Sequence, residues 1–130
     1  MESTERWEVA VKTAEFKFPN AIAFISDVNG GTAPYPTWGA LVQSTPSCIS
    51  VACTPDSEGP TTVTVGFGGG VDPGGTPAFQ GTLDTPSGTL VVTTVDRRIV
   101  VSFEVARTTT RVRIWVNDPS VPDRVVIGVQ

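Results

Sequence analysis

The chain has 130 residues, 39% hydrophobic and 17% charged, with a formal net charge of −4 and no histidine. Without imidazole there is no Ser-His-Asp or Cys-His nucleophile system, no His-ligated metal site and no ordinary neutral-pH proton shuttle. The acidic balance argues against nucleic acid and anionic membranes as partners, so neither is expected, and no cofactor is expected either.

This length suits one domain, so residues 1–130 are read as a single unit able to bury roughly two-thirds of its unfolded surface. The composition sets the class. There are 20 Val, 18 Thr and 6 Ile against 3 Leu, 1 Met and 2 Lys. β-Branched side chains suit a pleated, half-buried surface, whereas Leu, Met and Lys favour helices. The reading is all-β, punctuated by 13 Gly and 11 Pro. Charge is uneven. Residues 1–96 hold 3 cations and 10 acids, while residues 97–130 hold 6 Arg and 3 acids.

In chain order, the first alternation runs from Arg6 to Lys12, with Trp7, Val9 and Val11 on one face, and continues through Glu15 to Phe18 until Pro19. Ala21 to Val28 is apolar on both faces, as in a central strand, and ends at the Asp27-Val28-Asn29-Gly30-Gly31 turn signal. Ala33 to Thr37 is a loop, and Trp38 to Gln43 is a short strand or one helical turn. Ser47 to Cys53 and Thr61 to Phe67 read as strands around a turn at Thr54–Pro60. Gly66 to Pro77 is dense in Gly and Pro and reads as a loop. Ala78 to Leu83 and Thr89 to Val95 flank a Pro86-Ser87-Gly88 turn. Arg98 to Val105 places Ile99, Val101, Phe103 and Val105 inward. Thr110 to Val116 places Val112, Ile114 and Val116 inward, and Arg124 to Val129 follows.

No segment reads as a convincing helix. The expected architecture is an antiparallel β-sandwich of nine to ten strands, with a partly open barrel as second choice. The polar start and the lack of an apolar run of about 18 residues point to cytoplasmic residence, or to a virion if the chain is a phage component.

Candidate sites are few. Cys48 and Cys53, an odd number apart, fall on opposite faces of one strand and read as packed thiols. They cannot complete a zinc site alone. The Gly66-Phe67-Gly68-Gly69-Gly70 run lacks the Lys and the following helix of a phosphate loop. Asp27, Asp56, Glu58, Asp72, Asp118 and Asp123 read as turn and solubility residues, and nothing marks a pair of catalytic carboxylates. No metal ligand set is assigned.

Arg111, Arg113 and Trp115 share the face opposite the inward aliphatics. Arg and Trp are enriched at interface hot spots, so these three form the candidate interface. The plainer alternative pairs the Arg with cross-strand acids such as Glu104 and covers the Trp with a neighbour. Tyr35, Trp38 and Asp72 mark a candidate ligand loop, with core capping as the ordinary role for Trp38.

Several features in order form a pattern: the Phe16-Lys17-Phe18 segment, the Trp-centred Pro36-Thr37-Trp38-Gly39, a small-residue strand from Cys48 to Cys53, Val63-Thr64-Val65, and Phe79-Gln80-Gly81 leading through Gly88 into a β-rich end. The pattern resembles the competence protein J family of bacterial nuclease inhibitors. That resemblance implies a non-enzymatic module that binds another protein, a nuclease or toxin, through an acidic surface. It carries over no functional residue. Two other functions fit the composition: an assembly protein binding copies of itself, such as a phage capsid or tail component, and a calcium- or sugar-binding sandwich.

Overall fold

A computed structural model describes residues 10–130, so the expected strand positions Trp7 and Val9 lie outside the described residues. Two five-stranded sheets pack face to face. One has the order β1 (Val11–Phe16), β5 (Thr61–Phe67), β10 (Arg124–Val129), β9 (Thr109–Val116), β6 (Phe79–Asp84). The other has the order β3 (Val42–Thr45), β4 (Cys48–Ala52), β2 (Ile22–Asp27), β7 (Thr89–Thr93), β8 (Ile99–Glu104). All pairings are antiparallel except β5 with β10. The sheets remain open at both sides, so the molecule is a sandwich and not a barrel. At one side Lys12 Nζ donates to the Ser102 carbonyl at 2.8 Å, tying β1 to β8. At the other the Asp84 N–H donates to the Pro46 carbonyl at 2.8 Å, tying β6 to the β3–β4 turn.

The alternation explains the core. Val63 and Val65 from β5, Val112 and Ile114 from β9, and Val125, Ile127 and Val129 from β10 meet Ile25, Ile49, Val51, Leu90, Val92 and Phe103 from the facing sheet. All of these are buried. Each fully buried aliphatic contributes about 1.5–3 kcal/mol of transfer free energy, which is why strand register is so firmly set here. β2 sits at the centre of its sheet, as its two-sided apolar pattern predicts.

Three expectations are corrected. Ile99 is exposed, because the β7–β8 register slips between Val92 and Thr93: Val92 pairs with Val101, but Thr93 pairs with Ile99. The extra residue, Val100, packs against the core in Ile99's place. The Gly-rich stretch is only partly loop. Gly66 and Phe67 complete β5, and Gly68–Val71 forms a single helical turn, α1. The third strand begins at Val42, so Trp38 stands in a turn before it. Pro34, Pro36 and the positive φ of Gly39 (83°) keep that segment out of the sheet.

Candidate functional site

The outer face of the β1-β5-β10-β9-β6 sheet is built around two neighbouring glycines. Gly66 of β5 and Gly128 of β10 are register partners, and next to them stands Arg113 of β9. Without side chains they leave a flat floor, on which α1 rests. A Cβ at Gly66 would lie 2.6 Å from Val71 Cγ1, and one at Gly128 would lie 3.0 Å from Trp115 Cζ3 and 3.4 Å from Gly68 Cα. An isolated glycine in a strand often marks such a close approach.

Arg111, Arg113 and Trp115 do share this outer face, opposite the buried Val112 and Ile114. Their environments differ. Trp115 is buried, with its Nε1 reaching the Gly75 carbonyl at 3.4 Å, so the segment after α1 covers it and it is not an exposed contact residue. Arg113 is half-buried: its guanidinium lies 5.2 Å from the Trp115 ring and 3.9 Å from the Asp72 carboxylate. Asp72 in turn accepts from the Gly74 N–H at 2.7 Å, which fixes the bend after α1. Arg111 is exposed, and among the described residues no carboxylate lies within ion-pair distance of it. The expected acidic partner, Glu104, belongs to β8 in the other sheet, so Asp72 takes that part for Arg113. Beside both Arg is a shallow cavity of about 390 Å³ lined also by Gln80, Thr82 and Gln130.

Tyr35 and Trp38 lie in the connection from β2 to β3 of the opposite sheet, whereas Asp72 follows α1, and among the described residues no hydrogen bond or ion pair joins them. Trp38 caps no core: it is 101% exposed and Tyr35 is 89% exposed. The loop that carries them is nonetheless tied down. The Gln43 amide of β3 donates to the Tyr35 carbonyl at 2.8 Å and to Thr37 Oγ1 at 2.9 Å, and accepts from the Thr37 N–H at 3.1 Å. Farther along, Thr45 Oγ1 donates to the Thr32 carbonyl at 2.6 Å and Ser47 Oγ accepts from the Thr32 N–H at 2.8 Å. No Asp, Glu, Lys or Arg occurs between Val28 and Pro55. The result is a pre-organised, uncharged loop that presents two large aromatics to solvent. Gln43 was missed by sequence reading, since only folding brings its amide under Tyr35.

The remaining candidates have structural roles. Cys48 and Cys53 are free, buried thiols, each pushed up to about 11 by burial. Cys53 joins the inter-sheet core, whereas Cys48 lines a cavity on the outer face of its sheet, so they do face opposite ways. That cavity, about 620 Å³, also contains Phe24, Val91 and the displaced Ile99. Asp27 is buried, and its carboxylate accepts from the Asn29 N–H at 3.0 Å, the Ser87 N–H at 2.9 Å and the Ser87 hydroxyl at 2.6 Å. Burial pushes its carboxyl up, but these bonds outweigh that and hold it below the usual range. Among the described residues, no three His, Cys, Asp or Glu side chains group closely enough to hold a metal ion, and no helix is long and apolar enough to cross a membrane.

No protein-family model matches the chain, and no curated protein matches it in sequence. Two solved structures do match its fold. The product of crocagin biosynthetic gene J aligns over 92% of this chain and 97% of its own, with a TM-score of 0.50 and 15% identity. ComJ from Bacillus subtilis, an inhibitor of the DNA-degrading activity of NucA, aligns over 94% of this chain and 97% of its own, with a TM-score of 0.66 and 9% identity. The resemblance first visible in the order of strands and aromatics is thus a shared fold with ComJ across nearly the full length of both chains.

Proposed function

We propose that this protein is a non-enzymatic binding module of the nuclease-inhibitor type, which acts by occupying the surface of a partner protein. The observation that carries the reading is the ComJ likeness, which covers 94% of this chain and 97% of ComJ. Two features of the chain support it. The net charge of −4 favours approach to the basic surface with which a DNA-degrading enzyme holds phosphates. The Gln43-anchored loop offers the exposed Tyr35 and Trp38 rings on a backbone already tied down, which lowers the ordering cost of using them as a hot spot.

The test is a titration of the purified protein into NucA and similar DNA-degrading nucleases, with DNA cleavage as the readout. Stoichiometric inhibition that weakens with added salt is expected. Trp38→Ala should weaken inhibition by about 30-fold, corresponding to a hot-spot loss of about 2 kcal/mol, without altering thermal stability. Absence of both inhibition and complex formation at micromolar concentrations across the panel would defeat the reading.

A further inference from the structure

We infer that the cavity between β6 and β9 is a docking subsite for an acidic extended segment of a protein partner, with carboxylates at alternate positions. The inference deepens the protein-binding reading, on which it rests.

Arg111 and Arg113 project from the same face of one strand, two residues apart. Strand rise sets that separation at about 6.6–7 Å. A second extended chain has the same repeat, so carboxylates at its positions i and i+2 match the spacing at which the two Arg leave the strand. The neutral groups around the cavity suit the same ligand. Gln80 and Thr82 are the register partners of Arg113 and Arg111 on β6, and Gln130 closes the far side. Their amides and hydroxyl can donate to carboxylate oxygens that the guanidinium groups leave free.

The two cations are prepared differently. Arg113 is already positioned, held over the Trp115 ring and beside Gly68, where an added Cβ would lie 3.0 Å from its Nη2. Its Asp72 contact, 3.9 Å, is at the outer limit of an ion pair, so Asp72 orients the guanidinium while leaving most of its donors free. Arg111 is exposed and has no carboxylate within ion-pair distance among the described residues. In a chain of net charge −4 this is a local positive site. Carboxylates of a protein segment fit that setting better than a nucleic acid, whose dense phosphate charge the rest of the surface repels.

The experiment uses the full chain alone, at low ionic strength, followed by NMR of the Trp115 indole and Arg side-chain signals. The probes are a blocked Thr-Glu-Thr-Glu-Thr peptide, its Thr-Gln-Thr-Gln-Thr counterpart and a short oligo-dT. The Glu peptide is expected to shift these signals saturably and the Gln peptide to leave them unmoved. Arg111→Gln should weaken Glu-peptide binding by about fivefold or more. Asp72→Asn, which keeps the acceptor for the Gly74 N–H but removes the competing charge, should tighten binding by about twofold. A merely structural Asp72 would give no tightening. Equal shifts with the Glu and Gln peptides, unchanged affinity in Arg111→Gln, or tighter binding of oligo-dT than of the Glu peptide would each overturn the assignment. Because no nuclease is present, failure here leaves the inhibition titration standing, and failure of that titration leaves this result standing.

Discussion

Asp27 offers the sharpest test of the physical account. Its carboxylate joins the end of β2 to the turn between β6 and β7 through two bonds from Ser87, and caps its own turn through Asn29. Hydrogen bonds to a charged group contribute about 1.5–3 kcal/mol each when buried. Here Asn29 is exposed and Ser87 is exposed, so water can replace part of each bond once the carboxylate is gone. The expected cost of Asp27→Ala is therefore about 3 kcal/mol, below the roughly 4.5–9 kcal/mol that three such bonds would sum to if fully shielded from water. For a chain of this length that lowers Tm by about 10 °C. Asp27→Asn keeps one acceptor oxygen but loses the charge, and should cost about half as much. The pH dependence has a definite sign. The folded carboxyl lies below its ordinary value, so the unfolded chain binds the proton first as pH falls. The stabilisation is complete above about pH 4–5 and drains away as pH falls through the folded pKa. Thermal unfolding of wild type and both variants from pH 7 to pH 2.5 measures this. Asp27→Asn should flatten the acid limb of the stability profile. If Asp27→Ala melts within about 2 °C of wild type, or if the acid limbs of wild type and Asp27→Asn coincide, the assigned role is wrong.

Three further outcomes follow from the packing. Trp115→Ser should destabilise by about 3 kcal/mol, because it empties a buried indole site; an unchanged melting temperature would mean that the indole is not packed as described. Gly66→Ala should unseat α1, since its new methyl would meet Val71; loss of hydrogen-exchange protection at the Asp72 N–H, which donates to the Gly68 carbonyl, is the readout. Cys48 and Cys53 should react with a thiol reagent far more slowly than a free thiol at pH 8 and become fully reactive in denaturant, since burial disfavours their thiolates; rapid native labelling would contradict that.

The class and most strands were legible in the sequence because the period-2 signal and burial coincide: Val63, Val65, Val112, Ile114, Val125 and Ile127 alternate and all point inward. Ile99 was misplaced because a bulge shifts the parity of a strand, and nothing local in Arg98 to Val105 announces it. Trp115 was placed on the correct face, yet its cover comes from a segment about 40 residues away in the chain, contact that no local pattern encodes. Gly128 carried a readable hint, being an isolated glycine in a strand pattern, but Gly66 begins the Gly-rich run, and the pairing that makes the two one floor is a property of the sheet order. Sequence also could not distinguish a capping Trp38 from an exposed one. That difference depends on Gln43, whose side-chain amide ties the backbone of the loop at Tyr35 and Thr37 to β3.

The position of β10 has a kinetic consequence. It lies between β5 and β9, bonded parallel to one and antiparallel to the other. Until it docks, its sheet consists of two separate ribbons, β1 with β5 and β6 with β9, neither of which can shield its aliphatic face. Parallel registry across some 60 residues of intervening chain closes a large loop before it gains any contact, so assembly is slow and commits late. During that interval the unpaired flanks of β5 and β9 are open templates for other chains, and it is there that misassembly during refolding should concentrate.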